Sequence, residues 1–80
     1  MNLVIHSLKR TLFTGEVRSL NCKTESGEIT VLDHHRPLIT ILTTGTLTIL
    51  DDASQEHFFP ISKGFLEVQD GKNARLIVEE

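Results

Sequence analysis

Apolar and polar residues alternate along most of this chain. Leu3 and Ile5 share one phase against Val4 and His6, Ile29 and Val31 alternate with Glu28 and Thr30, and Leu47 and Ile49 alternate with Thr46 and Thr48. Phe59 and Ile61, Leu66 and Val68, and finally Ala74, Leu76 and Val78 continue the pattern. A period of two residues is the mark of half-buried β-strands, and no stretch carries the 3.6 period of a helix. Turn chemistry punctuates the runs at Lys9-Arg10, Glu25-Ser26-Gly27, Thr43-Thr44-Gly45, Asp51 to Ser54 and Asp70 to Asn73. Strands at spacings of about eight to twelve residues predict an all-β fold, an antiparallel β-sandwich or flattened barrel of about ten short strands. Leu12-Phe13 reads as a brief strand before Gly15, and Glu16 to Thr24 as the next. In the latter Val17 is out of phase with Leu20 and Cys22, so a bulge near Arg18-Ser19 is needed to keep all three inside. Pro60 assigns its strand to an edge, and Gly64 admits a bulge or corner.

The centre of the chain departs from simple alternation. From Gly27 to Leu42 a strand enters the polar corner Asp33-His34-His35-Arg36-Pro37 and leaves in an apolar run whose Leu38, Ile39, Ile41 and Leu42 occupy both faces. Pro37 fixes one backbone angle and biases Arg36 away from helix, so the chain leaves the corner extended. One sandwich core needs one face of each strand. Val31 belongs to that core, whereas Leu38 and Leu42, Phe58, Phe65 and Ile77 fall out of phase with the core sets around them. Such a surplus predicts a second apolar surface, of the kind that meets a protein partner.

Eighty residues make one domain, 1–80, able to bury roughly 60 to 65% of its unfolded surface. The net charge of -3 comes from interspersed acidic and basic residues, which leaves no basic stripe for nucleic acid and no polybasic membrane patch. The single cysteine, Cys22, excludes an intrachain disulfide and suits a reducing compartment. Met1 to Ile5 is too short an apolar segment for a signal peptide, and no run reaches the length of a membrane span. The four histidines raise the question of a metal, with His34-His35 beside Asp33 as its seed. Adjacent residues on an extended chain point to opposite faces, so the pair is a poor chelate and His6 and His57 must come from elsewhere. The expectation is therefore no metal, no cofactor and a charge-balanced loop. Asp51-Asp52 reads as turn chemistry, and no nucleophile elbow or phosphate-cradling glycine loop is present.

Three segments, in order, carry a resemblance: Leu12-Phe13-Thr14-Gly15-Glu16-Val17, the stretch Gly27-Glu28-Ile29-Thr30-Val31-Leu32-Asp33-His34-His35-Arg36-Pro37-Leu38-Ile39-Thr40, and Ile61-Ser62-Lys63-Gly64-Phe65-Leu66-Glu67-Val68. Together they resemble the N-terminal β-sandwich of the epsilon subunit of F-type ATP synthases, over Leu3 to Val78. Asp33-His34 stands where that family has Pro-Gly, Arg36 where it has a small residue, and Lys63 where it has the first of two glycines. The resemblance implies a non-catalytic central-stalk (rotor) subunit with no cofactor, linking the gamma subunit to the membrane c-ring. It further implies that His35, Leu38 and Thr40 face gamma and that the Gly27-Glu28 end faces the ring. The implied location is peripheral, at the cytoplasmic face of a bacterial inner membrane. Many members of the family continue into two C-terminal helices, and the match here is to a short form without them. Two other readings remain. A free-standing protein- or carbohydrate-binding module is opposed by the shortage of aromatic platforms, there being four Phe and no Trp or Tyr; a small metal enzyme of cupin-like shape is the third.

Overall fold

The computed structural model describes residues 1–80. Every regular element in it is a strand: β1 (Asn2–Ser7), β2 (Thr11–Thr24), β3 (Gly27–Leu32), β4 (Leu38–Leu42), β5 (Gly45–Asp51), β6 (Glu56–Ile61), β7 (Lys63–Val68) and β8 (Asn73–Glu79). There are eight strands rather than about ten, chiefly because β2 passes unbroken through Gly15, joining the two pieces predicted on either side of it.

β2 organises the rest. Its first half pairs with β1, its second half with both β3 and β5, and the register shifts between Val17 and Ser19. A shift there is the bulge that the phase conflict demanded, and with it Val17, Leu20 and Cys22 are all fully buried. The bend lets one strand serve two layers, as at the corners of orthogonally packed sheets. One layer holds β3, the second half of β2, β5 and the edge strand β6; the other holds the first half of β2, β1, β8, β7 and β4. The sheet is mixed rather than purely antiparallel, because β1 lies parallel to β8.

The core follows the pairing. In one layer Val31, Leu20 and Ile49 lie in register, and in the other Ile5, Leu76 and Leu66 do the same, all completely buried. Gly64 makes no bulge: β7 runs in continuous register with β8, and a Cβ at Gly64 would lie 2.9 Å from the Ile77 carbonyl oxygen. Close approach of backbones is what glycine supplies there.

The phase expected for β4 is corrected by the same pairing. Leu38 stands opposite Val68, Thr40 opposite Leu66 and Leu42 opposite Gly64. Leu42 is therefore 1% exposed, and Leu38 is half-buried against the core rather than part of an outer set. Because the side-chain period is two, assigning one residue assigns all. Ile39 and Ile41 are the outward pair, 64% and 49% exposed. The other out-of-phase residues, Phe58, Phe65 and Ile77, do lie outside as expected.

Candidate functional site: an apolar sheet face between two loop-bearing ends

The outer faces of the two layers differ. On the layer with β3 and β5, Thr30, Asn21, Thr48 and Phe58 lie in one row, and Asn21 donates from Nδ2 to Thr30 Oγ1 at 3.0 Å. That face is largely polar. On the layer with β4 and β7, Ile41, Phe65 and Ile77 stand side by side in register, and Ile39 sits two residues along from Ile41. All four are exposed. Leu8, Ile41, Phe65 and Ile77 line a shallow groove of about 310 Å³ on this face. Arg75 bonds Glu67 at 3.0 Å on one side of the apolar row, and Lys63 lies 3.5 Å from Glu79 on the other. An apolar centre with a charged rim is the anatomy of a protein interface.

The two ends of the sandwich are built differently. At one end Thr24 is buried and turns the chain from β2 into β3: its Oγ1 donates to the Gly27 carbonyl at 2.7 Å and accepts from the Ser26 N–H at 3.1 Å. Gly27 supplies a φ of +122° that most residues avoid. Glu28 follows, exposed, and joins none of the ion pairs of the molecule.

At the opposite end lies the corner between β3 and β4. His34 adopts φ +66°, a conformation that costs a non-glycine residue about 1 to 2 kcal/mol. The His34 N–H donates to the Gly71 carbonyl at 2.9 Å and the His35 N–H to the Leu32 carbonyl at 3.1 Å. Asp33 pairs with the Met1 ammonium, and that hydrogen bond pulls its carboxyl below the usual range. The His35 ring contacts the Arg36 carbonyl oxygen through Nδ1 at 2.7 Å. A carbonyl only accepts, so Nδ1 carries the proton, and in the neutral ring Nε2 is left as the acceptor.

The four histidines stay apart. His6 pairs with Thr11, His34 and His35 hold the corner, and His57 donates from Nε2 to Asp51 at 2.8 Å. No three His, Cys, Asp or Glu side chains converge. His57 also meets the Phe13 ring edge-on, with centroids 5.2 Å apart. Asp51 accepts from the N–H groups of Ala53 and Gln55 at 2.9 Å each, which is the turn chemistry the sequence predicted. Burial pushes the Cys22 thiol up to about 11, so it is an unreactive core group.

Residues 1–79 match the profile of the ATP synthase, Delta/Epsilon chain, beta-sandwich domain. The chain belongs to that family. The ATP synthase epsilon chain of Nitrosococcus oceani is 41% identical over 69 residues, which are 86% of this chain and 49% of that one. Those of Alkalilimnicola ehrlichii and Acinetobacter baumannii (strain SDF) are 32% and 36% identical over 90% and 86% of this chain. The chain spans about half the length of these curated relatives. Among solved structures, a chain of the Euglena gracilis mitochondrial ATP synthase (OSCP/F1/c-ring) superposes with a TM-score of 0.90 at 24% identity, over 98% of this chain and 49% of that one. A chain of the Tetrahymena thermophila mitochondrial ATP synthase central stalk/c-ring gives 0.84 at 13%, over 100% and 63%. At such identities the likeness is one of fold.

Set on this epsilon-type sandwich, the residues singled out from sequence separate into two groups. Gly27 and Glu28 open β3 and His35 lies beyond its far end, so the length of this six-residue strand, roughly 20 Å, separates Gly27 from His35. Leu38 and Thr40 lie on β4 but take its inward phase. The sequence reading missed Ile39 and Ile41 as the exposed members of that strand. A run with aliphatic groups on both faces contains no signal for which face is outside; the partner strand β7 decides it.

Proposed function

We propose that this chain is the β-sandwich of an epsilon-type, non-catalytic subunit in the central stalk of an F-type, proton-translocating ATP synthase. In this reading the outer face of β4, β7 and β8 packs on the gamma subunit, with Ile39, Ile41, Phe65 and Ile77 at its centre. His35, Leu38 and Thr40 border that contact, and the Gly27-Glu28 end meets the c-ring. The domain would be peripheral at the cytoplasmic face of a bacterial inner membrane, held there through the complex. Family membership supports the reading, and the observation that carries it is the in-register apolar row Ile41, Phe65 and Ile77 on one outer face only. Exposed aliphatic and aromatic groups side by side on one sheet face are costly in water and are stabilised by a partner. A rotor clamp also needs a stiff body. Two close-packed layers joined through one bent strand transmit load without an internal hinge. The test is co-expression with the gamma subunit of the same genome. The two are expected to co-purify, and Ile41→Asp is expected to abolish that; a gamma preparation free of this chain counts against the proposal.

A further inference from the structure

The corner that carries His35 is gripped from outside its own hairpin. The turn between β7 and β8 presses against it: the Gly71 carbonyl accepts the His34 N–H at 2.9 Å, and Gly71 itself is buried with φ +81°. A Cβ added at Gly71 would lie 2.7 Å from His34 Cα, 3.0 Å from the His34 carbonyl carbon and 3.1 Å from the His35 carbonyl oxygen. These are backbone atoms, so no side-chain rotation relieves the collision. The turn is held in its turn by Asp70, whose Oδ1 accepts from the N–H groups of Lys72 at 3.0 Å and Asn73 at 3.2 Å, and by the Asn2 N–H, which donates to the Lys72 carbonyl at 2.7 Å. On the corner's side, His34 pays for a left-handed backbone, and the bond to Gly71 is one of the contacts that hold it there.

We infer that Gly71 is a positioning residue for partner binding: by letting the β7–β8 turn seat directly on the backbone of His34 and His35, it fixes the corner from which His35 meets the partner. The inference rests on the gamma-facing role of that corner proposed above. It couples two segments far apart in the chain, and neither the apolar face nor the His35 ring contains Gly71.

The experiment compares the 80-residue protein with its Gly71→Ala, Asp70→Ala and Val78→Ala variants. Val78 is a core residue away from the corner and serves as a control for lost stability alone. Amide hydrogen exchange is followed by NMR, with affinity for the gamma subunit measured beside it. In Gly71→Ala, protection of the His34 amide is expected to fall about tenfold or more relative to the Ile49 amide in β5. Affinity for gamma is expected to fall by about tenfold with it. Asp70→Ala, which loosens the turn without adding an atom, shifts both in the same direction by less. Val78→Ala, by lowering global stability alone, is expected to lower the protection of Ile49, which exchanges by global opening, without lowering that of His34, which exchanges by local opening. An unchanged ratio in Gly71→Ala and Asp70→Ala overturns the clasp, and a lost ratio with unchanged gamma affinity overturns its role in binding. If the unaltered chain does not bind gamma, the subunit reading fails and the binding role with it, while the exchange ratio still decides whether the clasp exists.

Discussion

Ile41 and Leu42 are neighbours with nearly the same chemistry and opposite situations. Leu42 lies on the inner face of β4, opposite Gly64, and Ile41 on the outer face beside Phe65. Truncating Leu42 to Ala leaves a cavity in a close-packed interior and is expected to cost about 2 to 5 kcal/mol. Replacing Ile41 by Asp adds a charge on a solvated sheet face, where substitutions usually change stability by less than about 0.5 kcal/mol. The expected result is an inversion between two assays: chemical denaturation separates Leu42→Ala from the parent, while gamma binding separates Ile41→Asp. A folded Leu42→Ala with an unfolded Ile41→Asp would mean that β4 pairs with β7 one residue out of register. His34 shows the same dependence on place. At the turn after β3 it bears a strained φ that glycine would take freely.

Among the elements, the β5–β6 and β7–β8 hairpins are closed by aspartates that act on backbone N–H groups. His57 is the chief cause that lowers Asp51, helped by the N–H groups of Gln55 and Ala53; the Lys72 N–H is the chief cause for Asp70. Both carboxyls therefore hold their protons less tightly in the folded chain than in the unfolded one, where an aspartate titrates near about 3.9. The stabilisation is complete above that value and is lost as pH falls through the lower folded values. Between pH 7 and about 5 the thermal midpoint should show no loss from these groups, and below about 4 it should drop. The Asp51→Asn, Asp70→Asn double variant is expected to start lower and to show a shallower acid slope. Parallel acid slopes for the two proteins would remove these hairpins from the account. The His57 bond to Asp51 is not broken merely by loss of the imidazole charge, since Nε2–H donates in the neutral tautomer as well.

At the scale of the whole molecule, the two proposed contacts lie apart, the Glu28 turn at one end and the apolar face with its corner along the side and at the other end. Effects of changes at separated sites should add. Glu28→Gln is expected to leave co-purification with gamma intact, and Ile41→Asp to abolish it. In reconstituted enzyme, Glu28→Gln should alter only the contact with the ring, read as cross-linking yield to the c subunits; a loss of gamma binding in Glu28→Gln would mean that one surface serves both partners. The class of the fold, the place of nearly every turn, the need for a bulge beside Val17 and the existence of a second apolar surface are legible in the order of residues along the chain. Those follow from local causes: side-chain alternation, turn residues and a surplus of aliphatic groups over what one core consumes. The tertiary structure alone decided which residues make that surface, because Leu38-Ile39-Thr40-Ile41-Leu42 is apolar on both faces and its phase is set by pairing with β7. It alone showed the parallel pairing of the first and last strands, and the seat of the β7–β8 turn on the His34 corner. These are contacts between segments distant in the chain, and nothing in the spacing of residues along one strand specifies the strand or turn that will lie beside it.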